Sequence, residues 1–257
     1  SSRSRSTTGA SARIVLLSRA QAETAWRGRL AGAERLVLSP DDAFFDGDEV
    51  HLRSKGDPAF ALSVFPAARL TTSGRGTLAR GTRDGIFARF RGGVPSRAPT
   101  VRIVKERDAD AAPPVKTFNA VAWRKVEIAL VPSDSAFEGA ARWRLTLSPD
   151  ALRGLSDLFL DIRYAGDIGR LSAGRELLDD DFFKGTPWRI GLKRFAGEIA
   201  RGPLELRVLP LRRDAPVYIQ PELAPSYAAN GQVAAVLGVR VIPEYELVVR
   251  AAAEPRP

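Results

Sequence analysis

The sequence predicts an all-β fold of two β-sandwich units with one short N-terminal helix. Apolar and polar residues alternate in short segments such as Asp157–Tyr164, which is the period of a half-buried strand. Asp46-Gly47 and Asp84-Gly85 are the clearest turn signals, because Asp-Gly supplies the backbone conformations of tight hairpins. Helical periodicity is almost absent after Trp26. Together these patterns favour sheets over helices.

The first elements are predicted from local signals. Arg13–Leu17 is a short apolar run suited to a buried strand. Ser18 and Gln21 match a capping box, in which the Ser oxygen accepts from an early backbone N–H and the Gln reaches back. We expect a helix of about two turns that ends near Gly28. Trp26 would then pack its ring against a sheet.

Further strands are predicted from short apolar or alternating runs. Thr71–Gly81 is rich in Gly, Ser, Thr and Arg, and predicts a mobile loop. The predicted strands are Leu36–Leu38, Glu49–Arg53, Phe60–Phe65, Ile86–Phe90, Val101–Val104, Val126–Val131, Arg142–Leu147, Asp157–Tyr164, Trp188–Leu192, Leu204–Leu209 and Val239–Val249.

The domain organisation follows from one proline-containing stretch. Asp108–Pro114 is the best linker, since Pro113 has no N–H to give a sheet and Pro114 restricts the residue before it. We therefore expect a disordered leader or linker over 1–12, an N-terminal β-rich domain over 13–107, a linker over 108–116, a C-terminal β-sandwich over 117–251 and a tail over 252–257.

Composition restricts the function classes. With no Cys and one His among 257 residues, thiolate and all-imidazole zinc sites are excluded, and no cofactor or metal is expected. No apolar run approaches the roughly 20 residues of a membrane span. The net charge is +9, but basic residues are interleaved with acids, so nucleic acid is not an expected partner and a basic polyanion-binding protein is only a second alternative. Ser1 in place of Met indicates a processed product or an excised piece of a longer protein.

Two features invite a catalytic interpretation that the sequence does not favour. Asp179-Asp180-Asp181 could support acid–base chemistry or contribute to a Ca²⁺ site, but three adjacent acids are more typical of a solvated turn. His51 lies between Val50 and Leu52, so it is expected to point toward solvent. Without a Gly-x-Ser-x-Gly elbow or a phosphate loop, the isolated chain is not expected to be an enzyme.

An aromatic-rich loop is the candidate recognition site. Asp181–Trp188 joins two predicted strands, and such loops often carry binding residues. Sugars stack on aromatic rings while polar neighbours bind their hydroxyls. The alternative, which we favour, is that Phe182 and Trp188 fill one end of the core. The candidate carbohydrate-binding residues are Tyr164, Asp167, Asp181, Phe183 and Trp188.

Several motifs resemble the C-terminal part of bacterial family-35 β-galactosidases. They are Tyr164-Ala165-Gly166-Asp167, the Asp180–Trp188 loop, the Gly191–Phe195 strand and Leu209–Tyr218. Arg13–Trp26 is also similar to the segment that follows the catalytic region in that family. The resemblance implies jelly-roll, galactose-binding-like sandwiches.

The resemblance also implies what this chain does. In that family two catalytic glutamates lie in a (β/α)₈ barrel, and a barrel needs about 250 residues of alternating strands and helices. A mostly strand-forming chain of 257 residues has no room for one. The expected function is therefore non-catalytic support of a barrel in a secreted or periplasmic glycoside hydrolase, with that catalytic domain as partner and possible contact with galactose-containing glycan. The first alternative is a free-standing carbohydrate-binding module.

Overall fold

The computed structural model describes residues 2–5, 11–112, 115–119, 121, 123 and 127–253. The chain divides into two compact units. Unit 1 comprises Ser1–Ser96 and Glu244–Pro257, and unit 2 comprises Arg97–Pro243. Strands dominate both units, so the all-β prediction is confirmed. The division falls before the linker that the sequence predicts, and Pro113 and Pro114 of that linker lie outside the described residues.

Unit 1 begins with a hairpin and a one-turn helix. Its elements up to Gly93 are β1 (Ser2–Arg5), β2 (Ser11–Ile14), α1 (Arg19–Ala22), β3 (Ala25–Leu30), β4 (Ala33–Leu38), β5 (Asp42–Asp46), β6 (Glu49–Lys55), β7 (Ala59–Phe65), β8 (Leu70–Thr72), β9 (Thr77–Asp84) and β10 (Phe87–Gly93).

Unit 2 adds short helical segments to its strands. Its elements are β11 (Val101–Arg107), β12 (Thr117–Asn119), β13 (Glu127–Ala129), a 3₁₀ helix (Asp134–Gly139), β14 (Ala141–Leu147), β15 (Asp157–Ala165), β16 (Ile168–Ala173), β17 (Glu176–Phe182), β18 (Trp188–Gly191), a 3₁₀ helix (Lys193–Phe195), α2 (Ala196–Arg201), β19 (Leu204–Val208), β20 (Leu211–Arg212), a 3₁₀ helix (Pro221–Leu223), β21 (Gln232–Val233) and β22 (Ala235–Ala251), whose residues from Glu244 onward belong to unit 1.

Unit 1 is built from two antiparallel sheets. One has the strand order β3-β4-β7-β10-β9, and in the other β6 lies between β5 and the C-terminal part of β22. The sheets meet closely at Gly28, where an added Cβ atom would lie 2.3 Å from the ring of Phe45. Both Asp-Gly hairpins form as predicted, with Gly47 and Gly85 each at a φ of 55°.

Unit 2 is likewise sandwich-like. One sheet has the order β11-β14-β19-β16-β17, and a second contains β18, β15 and the first part of β22. In β15 the side chains of Leu158, Leu160, Ile162 and Tyr164 are all buried, which confirms the predicted apolar face. Two small sheets, β12-β13 and β20-β21, complete the unit among the described residues.

Near the N-terminus two predictions are wrong. Arg13–Leu17 is not a buried strand, because β2 ends at Ile14, which is 50% exposed, and Leu16 is 89% exposed. The capping box at Ser18 and Gln21 is confirmed, but α1 has only four residues because the chain turns into β3 at Ala25. No residue of α1 is buried, so tertiary packing does not extend the helix.

Two further differences concern local structure. Thr71–Gly81 is not simply a loop, since β8 and much of β9 fall within it. The helix α2 over Ala196–Arg201 was not predicted. The predicted leader over 1–12 includes β1 and the start of β2, which pair antiparallel, while residues 1 and 6–10 lie outside the described part of the chain.

Candidate functional site

Three of the five candidate residues form an aromatic cluster in unit 2. The ring of Tyr164 meets the ring of Phe183 at a centroid distance of 5.7 Å and that of Trp188 at 6.2 Å, both edge to face. Tyr164 is 3% exposed and Trp188 is 4% exposed. These two rings lie in the core, and in this structure they offer no face to a sugar.

The fourth candidate, Asp181, is tied to the same cluster. The Tyr164 hydroxyl donates to the Asp181 carbonyl oxygen over 2.7 Å and lies 3.2 Å from the carboxylate Oδ2. The Lys184 ammonium pairs with the other carboxylate oxygen, Oδ1. Burial, and next the Asp181 charge, raise the pKa of Tyr164 far above its usual value of 10.0. Tyr164 therefore stays protonated and acts as a hydrogen-bond donor that joins β15 to β17.

Two glycines allow the cluster to pack. An added Cβ atom on Gly169 would lie 3.0 Å from the Trp188 ring and 3.3 Å from the Tyr164 ring. On Gly166 it would lie 2.2 Å from a methyl group of Val208. The Tyr-Ala-Gly-Asp motif thus has a packing role in this structure, since Gly166 permits a close backbone approach that a side chain would block.

The fifth candidate, Asp167, is fixed by its backbone. Its N–H donates to the Leu209 carbonyl over 2.7 Å, and its carbonyl accepts from the Phe183 N–H over 2.9 Å. The side chain is half-buried, and burial raises the pKa of its carboxyl. No described side chain forms a hydrogen bond or ion pair with that carboxylate. Among the residues that the structure describes, Asp167 is therefore a partly buried carboxyl group without a side-chain donor.

Asp167 lies in an apolar groove of unit 2, which we call the Asp167 groove. Its volume is about 610 Å³, and its lining comprises residues 115–116, 128–133, 135–136, 167–168, 182, 209–210, 212 and 215–217. Val131 is 69% exposed and Phe182 is 56% exposed. Sequence reasoning missed this groove because its walls come from segments far apart in the chain. The only local signal was the clustering of Pro and aliphatic residues in 128–132 and 209–217.

A second charged arrangement was also missed. The alternation of Asp157–Tyr164 predicts that Asp161 lies on the polar face of β15, with Phe159 and Arg163, yet Asp161 is 2% exposed. The Arg189 guanidinium donates to both of its carboxylate oxygens, over 2.6 and 3.0 Å, and Arg240 donates over 3.1 Å. The hydrogen bond from Arg189, and next that from Arg240, lower the pKa of Asp161. The arginines shield a carboxylate that a polar alternation alone would assign to solvent.

The structure places the two other charged candidates in strands. Asp179, Asp180 and Asp181 lie in strand β17 paired with β16, so their placement in a solvated turn was wrong. His51 was expected to face solvent, but its side chain is only 17% exposed because the Phe44 ring stacks on it at 4.6 Å. Within the described residues, no three His, Cys, Asp or Glu side chains form a group able to hold a metal ion.

Two half-buried basic residues on the sheets of unit 2 have acidic partners. Arg207 pairs with Glu205 at 2.6 Å and Arg170 with Asp134 at 2.7 Å. Such pairing weakens the field that a polyanion would need. In addition, no helix among the described residues has the length and apolar character required to span a membrane.

Comparison of the chain with protein-family models, with curated proteins and with solved structures finds no match. The class that fold and site define is thus an all-β protein with an apolar groove. Its resemblance to the family-35 enzymes and carbohydrate binding by Tyr164, Asp167, Asp181, Phe183 and Trp188 stay predictions.

Proposed function

We propose that this chain is a non-catalytic accessory region of a β-galactosidase-like glycoside hydrolase, and that it docks on the catalytic barrel of its parent chain through the Asp167 groove. The observation that carries this proposal is the exposure of apolar side chains around that groove. Monomeric proteins rarely leave large contiguous apolar patches in water, and such patches are typical of interaction surfaces.

The side chains at the groove have the character of an interface. Val131, Phe182 and Val217 are exposed by 69%, 56% and 41% respectively, although each is apolar. They belong to three different segments that converge on one groove. Covering them with another protein surface would contribute about 25 cal/mol for each Å² of apolar area removed from water. This supports docking over a solitary monomer.

The roles of the motif residues support a scaffold. Tyr164 and Trp188 fill the core, and Gly166 permits close packing against Val208. Residues that carry the family resemblance therefore stabilise unit 2 instead of presenting reactive groups. That is what a region selected to support a neighbouring domain would need.

The test is the size and content of the native polypeptide. An antibody raised against this chain is used to probe an extract of the source organism. We expect a band far larger than 27.9 kDa, and peptide mapping of that band should reveal a barrel with two catalytic glutamates. A native band near 27.9 kDa would exclude the accessory-region proposal.

A free-standing carbohydrate-binding module is the second candidate, and the exposed Phe182 ring favours it. The ring borders the groove that contains Asp167, Ser133 and Ser135, so an aromatic face and hydrogen-bonding groups occur together. Binding of galactose, lactose or galactan to the purified chain, lost in Phe182→Ala, would support it. Unchanged intrinsic fluorescence and no heat of binding at millimolar sugar would eliminate it.

A further inference from the structure

We propose that the occupant of the Asp167 groove is an apolar peptide segment that carries a lysine or arginine, and that this cation pairs with the Asp167 carboxylate. The inference rests on the proposed docking function and specifies the chemistry of the docked partner. It places one charged contact inside an otherwise apolar interface.

The walls of the groove select for an apolar segment. Leu130, Val131, Pro216 and Val217 all line the groove, with Ile168 among the buried lining residues. These four side chains offer no hydrogen-bonding group to the hydroxyls of a glycan, and polar groups buried without a partner are costly. Aliphatic and proline side chains have no such cost.

The carboxylate of Asp167 selects for a hydrogen-bond donor. Backbone hydrogen bonds to Leu209 and from Phe183 fix the residue, so its side chain cannot move far from the groove. No described side chain donates to the carboxylate. A desolvated carboxylate gains most from a donor that also carries positive charge, because charge-assisted hydrogen bonds are about twice as strong as neutral ones.

Within the described part of the chain, the two basic residues that line the groove leave this contact available. Arg212 is committed to Asp214, whose two carboxylate oxygens accept from it over 2.8 and 2.6 Å. Lys116 also lines the groove, but it is exposed. Its charge opposes an incoming cation, so replacing it with a neutral residue should strengthen the proposed interaction.

The experiment selects random short peptides displayed on phage against the full chain. We expect the selected sequences to share a lysine or arginine flanked by aliphatic residues or proline. Asp167→Asn should lower the affinity of the protein for these peptides by about tenfold or more. Replacing the basic residue of the peptides with norleucine should lower the affinity by a similar factor. Lys116→Gln should strengthen binding.

A groove variant separates this inference from the docking proposal. Val131→Asp introduces charge at an exposed position, and it should abolish binding without disturbing the core. If Val131→Asp abolishes binding while Asp167→Asn and the norleucine peptides leave the affinity unchanged, the charged contact with Asp167 is wrong, and docking in the groove stands. If Val131→Asp has no effect, or only sugars bind, the peptide groove itself is wrong. Circular dichroism verifies that each variant is folded.

Discussion

The Tyr164 hydroxyl donates a hydrogen bond of 2.7 Å to the backbone carbonyl of Asp181. Tyr164 is the penultimate residue of β15 and Asp181 that of β17, so one buried side chain joins strands from the two sheets of unit 2. The bond requires a protonated phenol. It therefore links the stability of unit 2 to pH.

Tyr164→Phe should lower the free energy of unfolding by about 1 kcal/mol at neutral pH, because one buried hydrogen bond is lost. Since the folded pKa of Tyr164 is raised above the unfolded value of 10.0, wild-type stability should also fall as pH rises above 10.0. The variant should lose less over the same range. Urea unfolding at neutral and alkaline pH measures both effects. Tyr218→Phe, at a side chain 87% exposed, is the control, and an equal change there would contradict the prediction.

Trp188→Ala should destabilise the protein by about 3–5 kcal/mol, because it removes a buried aromatic ring and leaves a cavity beside Gly169 and Tyr164. Trp123→Ala should change stability little, since that side chain is 86% exposed. Thermal unfolding of both variants checks the difference. Loss of sugar binding in Trp188→Ala would consequently report unfolding, and for this reason Phe182 is the better site for a binding test.

Arg189→Ala should lower the free energy of unfolding by about 2 kcal/mol, because the buried Asp161 carboxylate loses its bidentate hydrogen-bond donor. Arg240→Ala should cost less, since Arg240 reaches only one carboxylate oxygen. The stabilisation from Asp161 should be present above the unfolded pKa of 3.8 and be lost as pH falls through the lower folded value. Acid unfolding curves of wild type and both variants test this order, and equal costs would contradict the geometry.

Asp167→Asn should raise the free energy of unfolding at neutral pH. Burial raises the folded pKa of Asp167 above the unfolded value of 3.8, so the ionised carboxyl destabilises the folded state once pH exceeds 3.8. The difference between variant and wild type should shrink as pH falls toward 3.8. Denaturant unfolding at several pH values measures it, and a constant difference would argue against a titrating Asp167.

Gly166→Ala should destabilise unit 2 by about 1–3 kcal/mol, because the new methyl group would overlap Val208. Val208→Ala in the same chain should recover part of that loss, and a double-mutant cycle measures the coupling. Gly197→Ala is the matched control. It lies in α2 with its nearest neighbour 3.8 Å away, so it should instead gain about 0.5–1 kcal/mol of helix propensity.

Strands with one buried face could be predicted from the sequence, as β15 demonstrates, because alternation directly reflects burial. Asp179–Asp181 does not alternate, because three consecutive aspartates put polar side chains on both faces of β17. The sequence therefore indicated a turn and not a strand. Asp161 was assigned to solvent because the pattern of one strand cannot reveal Arg189 on the next. The five candidate residues do come together, but their burial and the groove beside them depend on contacts between distant segments.

The last strand, β22, also has a consequence for the order of synthesis. Residues up to Pro243 belong to unit 2, while Glu244–Val249 pair with β6, which was made nearly two hundred residues earlier. As the chain leaves the ribosome, unit 2 has all of its own residues before unit 1 does. The core around Val50 and Leu52 therefore lacks one neighbouring strand, and it cannot be completed until Tyr245 and Leu247 have been synthesised. Of the two units, the one whose synthesis begins first is completed last.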